Sequence, residues 1–227
     1  RYIIETVCAV LDRDPDAGRP LDGLRLLDVG CGGGLLSEAM AAAGARVHGI
    51  DVVDKSLVVA RGHARESGLE IDYELTTAAD LQARGTHFDV VLNMEVVEHV
   101  ADLPAFMAAV NALVAPGGLQ FVATINRTLL SFLVAILGAE YVLRLLPRGT
   151  HQWRRFPTPA ELEALLVVDG FRLQARTGVK VNPFRRRMWL TPSLQVNYML
   201  VAGRSAVADD PVGQTVDPGH HPRAAAL

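Results

Sequence analysis

Glu95, Glu98 and His99 stand together in the stretch NMEVVEHV, separated by three and four positions. On a helical turn that spacing brings two carboxylates and an imidazole onto one face. Such a set, facing a pocket, can coordinate a divalent cation, and its mostly oxygen donors suit Mg²⁺. The same residues also fit an ordinary solvated helix start, where glutamates complement the dipole. His151, in the GTH stretch, is a further candidate, as a general base or substrate contact. A lone loop histidine is as readily a solvent-facing or structural residue.

A second constellation lies upstream, in LLDVGCGGGLLSEAMAAAGARVHGID, residues 26–51. Gly30, Gly32, Gly33 and Gly34 cluster after an apolar run, but Leu35 stands where a dinucleotide fingerprint needs its third spaced glycine. Glycines at Gly30 and Gly32 let a ligand approach the backbone, because no Cβ intrudes. Asp28, at the end of the run, can hold a cationic amine directly or through water. Asp51 follows about twenty residues on, where an acidic side chain binds a ribose diol. An adenosyl ribose with a charged amino-acid tail and no phosphate satisfies these features together, and S-adenosyl-L-methionine is that ligand. A tight glycine turn that binds nothing is the plainer alternative. Cys31 in the turn reads as a small buried filler, since methyl transfer from a sulfonium needs no covalent step.

These residues need a scaffold, and the hydrophobic pattern supplies one. Short apolar runs over residues 25–29, 46–50, 71–75, 88–93 and 119–124 read as strands. Helical patterns cover residues 2–11, 35–43, 53–67 and 103–114, with Gly44, Gly68 and Pro116-Gly117-Gly118 as stop signals. The alternation predicts an α/β fold with a doubly wound, mostly parallel sheet. Right-handed crossovers then gather the strand C-termini, and with them both constellations, on one edge.

After Thr124 the rhythm breaks. Residues 129–146 form an apolar insertion after the fifth strand, interrupted by Gly138, Glu140 and Arg144. Those interruptions favour a helical lid or interfacial segment over a bilayer span. Arg144, Arg148, Arg154 and Arg155 suit anionic headgroups, although a hairpin buried against the sheet fits the pattern as well. A helix at 160–168 and strands at 171–176 and 197–202 complete the sheet. Residues 1–203 thus read as one domain and 204–227 as a polar, disordered tail.

Composition sets the outer bounds. The chain has 227 residues, half of them apolar, and a formal net charge of −3. That argues against bulk nucleic-acid binding. Its two cysteines, Cys8 and Cys31, offer neither a disulfide framework nor a metal knuckle, as expected of a reducing compartment. The opening residues, from Arg1, follow a helical pattern with no signal-peptide character.

The stretches LLDVGCGGGLLSEAMA, NMEVVEHV, APGG, TINR, GAEYVLRLLPRGTH and NYML, spread over residues 25–202, together resemble the ubiquinone-biosynthesis O-methyltransferases. The resemblance implies a class I, Rossmann-like methyltransferase fold and S-adenosyl-L-methionine as donor. It implies a polyprenylated catechol or quinol precursor of ubiquinone as acceptor, and Mg²⁺ held at Glu95, Glu98 and His99. A metal would lower the pKa of the catechol hydroxyl without a strong base. By position, Gly30, Asp51 and Met94 are cofactor contacts, and a further cofactor-binding arginine belongs ahead of Arg1. Thr77 departs from the acidic residue common near the adenine, so backbone atoms of Thr77 and Ala78 are expected to serve there. The implied setting is cytoplasmic and peripheral to an anionic membrane surface, with other ubiquinone-biosynthesis enzymes as candidate partners. A methyltransferase for another small acceptor, or a weakly active cofactor-binding scaffold, are the alternatives.

Overall fold

The computed structural model describes residues 1–128, 156–182 and 187–206. The apolar insertion, His151, the arginines from Arg144 to Arg155 and most of the expected tail lie outside the described residues.

Five strands, β1 (Arg25–Val29), β2 (Arg46–Asp51), β3 (Asp72–Leu75), β4 (Phe88–Met94) and β5 (Val114–Ile125), pair in parallel in the order β3-β2-β1-β4-β5. The sheet continues through β8 (Asn197–Arg204), β6 (Phe171–Asn182) and β7 (Arg187–Thr191), all antiparallel. The order reverses between β1 and β4, which creates the crevice where ligands of such sheets bind.

Alternation along each strand sends consecutive side chains to opposite faces. Leu26, Val90, Leu92, Leu119 and Phe121 meet α1 (Tyr2–Val10) and α2 (Leu35–Ala42), through Ile3, Val7 and Met40. Leu27, Val29, Ile50, Val91 and Val122 face the other way. There they pack on Leu81 of α4 (Ala78–Gln82), Met107 and Val110 of α5 (Leu103–Ala112), and Leu162 and Leu166 of α6 (Pro159–Val168). A smaller cluster joins Leu57, Ala60 and Ala64 of α3 (Asp54–Glu66) to Tyr73.

The α/β architecture and the seven expected strands are present. Three details differ. α4 was not expected: at five residues it is too short for a periodic signal, and it forms on the Thr77 cap, whose hydroxyl accepts from Asp80 N at 3.1 Å. β7 was not expected either. β5 begins at Val114, before the Pro116-Gly117-Gly118 stop signal, which becomes an irregularity within the strand: pairing jumps from Phe88–Val114 to Val90–Leu119. At the far end, β8 runs one residue past the expected domain limit at 203.

Candidate active site

A cleft of about 670 Å³ opens over the strand C-termini at the crossover between β1 and β4. Gly30 and Asp51 line one side, Thr77 and Ala78 a second, and Glu95, Val96 and His99 a third. Phe106 and its α5 neighbours add an apolar wall.

The glycine turn is shaped by close contact. Gly30 has φ +67°, and a Cβ there would lie 2.5 Å from Val96 Cγ2, so only glycine fits against the β4 turn. Gly30 N and Cys31 N donate to Ile50 O at 2.8 and 3.0 Å, fastening the turn to β2. Gly34, with φ +82°, then starts α2. Burial pushes the Cys31 thiol up to about 12, with Asp28 and Asp51 adding to it, which fits a filler rather than a nucleophile.

Asp51 is held by two backbone amides. Gly32 N donates to Oδ2 at 2.9 Å and Val53 N to Oδ1 at 2.8 Å. The carboxylate is therefore pre-set at the cleft edge with lone pairs remaining for a diol. Thr77 and Ala78 sit across from it, and the Thr77 hydroxyl is engaged with Asp80, leaving the backbone for ligand contact.

Asp28 and Met94 are set back from the cleft. Alternation turns both toward the α1–α2 face, whereas the cleft belongs to the face of Val29 and Ile50. Asp28 is buried and accepts from Ser37 Oγ at 2.6 Å. Burial raises its pKa to about 6, against the opposing pull of the Ser37 bonds. Met94 packs against the core on its own side. Gly32 contributes its amide to Asp51 and is not part of the cleft wall.

The acidic cluster is not helical. Glu95 adopts φ +58°, unusual for a side chain larger than glycine, and residues 97–99 form a tight turn closed by His99 N to Val96 O at 2.9 Å. The expected common helix face for Glu95, Glu98 and His99 therefore does not exist. Glu95 and Glu98 are close enough for the Glu98 charge to act on the Glu95 carboxyl. Glu98 is buried and accepts from Thr124 Oγ1 at 2.7 Å. Solvent reaches the Glu95 residue along the cleft, yet protein packs around its carboxyl. That burial first, and then the Glu98 charge, push its pKa up to about 8. His99 is exposed on the same wall. Among the described residues no group of three potential ligands converges on one point. The donor set is thus two neighbouring carboxyls, chemistry that fits a hard cation, with His99 outside the group.

Residues 1–175 match the family model described as a methyltransferase domain. The chain is 57% identical over 205 residues to the ubiquinone biosynthesis O-methyltransferase of Brucella anthropi, covering 90% of this chain and 83% of that protein. It is 52% identical over 207 residues to the Agrobacterium fabrum protein of the same name, covering 91% and 83%. This chain belongs to the ubiquinone biosynthesis O-methyltransferases.

Among solved structures, the Synechocystis magnesium protoporphyrin IX methyltransferase with bound SAH is similar in fold, with a TM-score of 0.63 and 23% identity, over 90% of this chain and 82% of that one. This methyltransferase therefore carries the class I methyltransferase fold. Pattern reading missed three contributors to its cleft. Val96 and Phe106, which line it, looked like ordinary apolar residues, and Thr124, which reaches the site only through Glu98, like an ordinary β-branched strand residue.

Proposed function

We propose that this chain transfers a methyl group from S-adenosyl-L-methionine to a phenolic hydroxyl of a polyprenylated catechol or quinol precursor of ubiquinone. The observation that supports the acceptor assignment is the Glu95 carboxyl in the cleft wall, with Glu98 behind it, next to Val96, which packs on the Gly30 turn. That proximity sets a proton acceptor beside the expected position of the donor's methyl-bearing sulfur. Gly30 and Asp51 hold the donor, with Asp51 on the ribose diol and the backbone of Thr77 and Ala78 beside the adenine. The phenolic oxygen attacks the methyl carbon, the carbon–sulfur bond breaks, and its electron pair stays on sulfur. A phenol titrates near 10, so the transfer needs help with its proton. A carboxylate oxygen of the pair takes that proton as the new bond forms. Mg²⁺ would be held by Glu95 and Glu98 and would lower the pKa of the acceptor hydroxyl. Holding donor and acceptor in line supplies the remainder.

The acceptor also implies a place. A polyprenyl chain resides in lipid, and residues 129–146 are apolar with four arginines between Arg144 and Arg155. No helix among the described residues is long and apolar enough to cross a membrane. Peripheral binding to an anionic surface is therefore part of this reading, as is contact with other enzymes of the pathway.

A single-turnover assay with a demethylated quinol precursor and methyl-labelled donor tests the proposal. Label should pass to the quinol oxygen, and Glu95→Gln with Glu98→Gln should abolish transfer while leaving donor binding intact. No transfer by the wild type in the presence of Mg²⁺, or full transfer by the double variant, would refute it.

A further inference from the structure

Thr124 lies in the TINR stretch, at the C-terminal end of β5. It is fully buried on β5, on the face covered by α5 and α6. A valine would fill the same space in a central strand, where branched side chains pack well. The hydroxyl adds one contact among the described residues, the 2.7 Å bond to Glu98 Oε2. One residue earlier, Ala123 O accepts the Glu95 N–H at 2.8 Å. Consecutive residues of one core strand thus fasten both carboxyl-bearing positions of the turn, one through backbone and one through a side chain.

Val96 on the Gly30 turn and Val97 in the core anchor the backbone of this turn, but neither orients the carboxyls. The turn is not a helix, Glu95 is in the left-handed region, and Val96–His99 is a single closed turn. A glutamate has three rotatable bonds, and a buried carboxylate without a fixed donor would choose among rotamers. Bonding one oxygen to Thr124 leaves the other side of the Glu98 carboxyl to Glu95.

We infer that Thr124 is a positioning residue of the methyl-acceptor site: its hydroxyl fixes the buried Glu98 carboxyl, and through it sets where the cleft-lining Glu95 carboxyl stands. The inference rests on the acceptor role proposed above for that pair.

The test uses the full chain with Thr124→Val, Thr124→Ser, Glu98→Gln and the Thr124→Val/Glu98→Gln double variant. Turnover of a catechol acceptor, donor affinity by calorimetry and Mn²⁺ affinity by spin-resonance titration are measured for each. A bond to a charged group predicts that Thr124→Val lowers kcat and Mn²⁺ affinity by about ten- to a hundred-fold, while donor affinity is unchanged. Thr124→Ser, which keeps the hydroxyl, should stay near wild type. The double variant should be no worse than Glu98→Gln alone, because the two residues act as one unit. Thr124→Val with wild-type turnover and Mn²⁺ binding overturns the inference. So does equal damage from valine and serine, or loss of donor affinity in Thr124→Val, since either would mark a packing role. An inactive Glu98→Gln beside an intact Thr124→Val removes Thr124 alone. A fully active, Mn²⁺-binding Glu98→Gln removes the acceptor reading and the positioning claim together.

Discussion

Three single residues in the cleft and its surroundings make separable predictions. Asp51→Ala takes away the charged acceptor that Gly32 N and Val53 N hold in place. Bonds to a charged group are worth roughly 1.5–3 kcal/mol, so donor affinity should fall about ten- to a hundred-fold in calorimetric titration. An unchanged dissociation constant would take Asp51 out of the donor site. Gly30→Ala should be worse for the fold, because it combines φ +67° with a contact of 2.5 Å to Val96 Cγ2. Strain of this kind costs on the order of 1–3 kcal/mol, read as a lowered thermal midpoint together with weaker donor binding. Asp28 behaves differently. Its folded pKa of about 6 lies above the ordinary 3.8, so the fold prefers the neutral acid. Between those values the folded state binds more protons than the unfolded one, and stability must fall as pH rises from about 4 to 6. The full loss is on the order of 3 kcal/mol for the ligand-free protein. Asp28→Asn should flatten that slope in urea titrations at a series of pH values and stabilise the protein at neutral pH. Identical slopes in variant and wild type would contradict the assignment.

Whole elements depend on a few local devices. α6 starts with a capping box: Glu161 N donates to Thr158 Oγ1 at 3.3 Å, and Thr158 N donates to Glu161 Oε2 at 2.8 Å. Arg127 also pairs with Glu161, tying the end of the TINR stretch to this helix. Through Leu162 and Leu166, α6 closes the core face that carries Thr124 and Tyr198. Thr158→Ala should cost about 0.5–2 kcal/mol in urea denaturation, with donor affinity unaffected. A loss within error would mean that the Arg127 pair and apolar packing suffice. The strands were legible because buried parallel strands are unbroken apolar runs, as in residues 88–93. The β4–β5 irregularity was not, since Pro116-Gly117-Gly118 signals a stop whether or not pairing has already begun at Val114.

On the scale of the whole molecule, the acceptor proposed here is lipid-borne, and peripheral membrane attachment is the proposal that goes with it. Each arginine near an anionic surface contributes roughly 1 kcal/mol, and Arg144, Arg148, Arg154 and Arg155 together would support reversible, salt-sensitive binding. Sedimentation with anionic vesicles at low salt, release at high salt and weaker binding to neutral lipid are the expected results. Leu133→Ser with Ile136→Ser should reduce vesicle binding and leave donor affinity unchanged. A wild type that ignores anionic vesicles at low salt would refute peripheral attachment. The donor half of the site needs no such surface, because every residue assigned to it lies on the strand edge between β1 and β3.

Among the described residues, seven of the eight strands, five of the six helices, the glycine turn and the carboxylate at Asp51 could be read from the sequence by itself. These are local: apolar periodicity, glycines in series and a fixed interval from strand to strand carry them. Only the tertiary structure decided which of the marked residues face the cleft. The alternation that buries β1 and β4 on two sides sends Asp28 and Met94 to the α1–α2 face. Their neighbours Val29 and Glu95 reach the ligand side instead. Spacing of three and four residues was equally compatible with a helix and with the observed turn, because it fixes separation along the chain and not φ. The choice was made by Ala123 and Thr124, which accept the Glu95 amide and hold the Glu98 carboxyl from a strand more than twenty-five residues away in the chain. A contact at that distance leaves no period for a sequence to show.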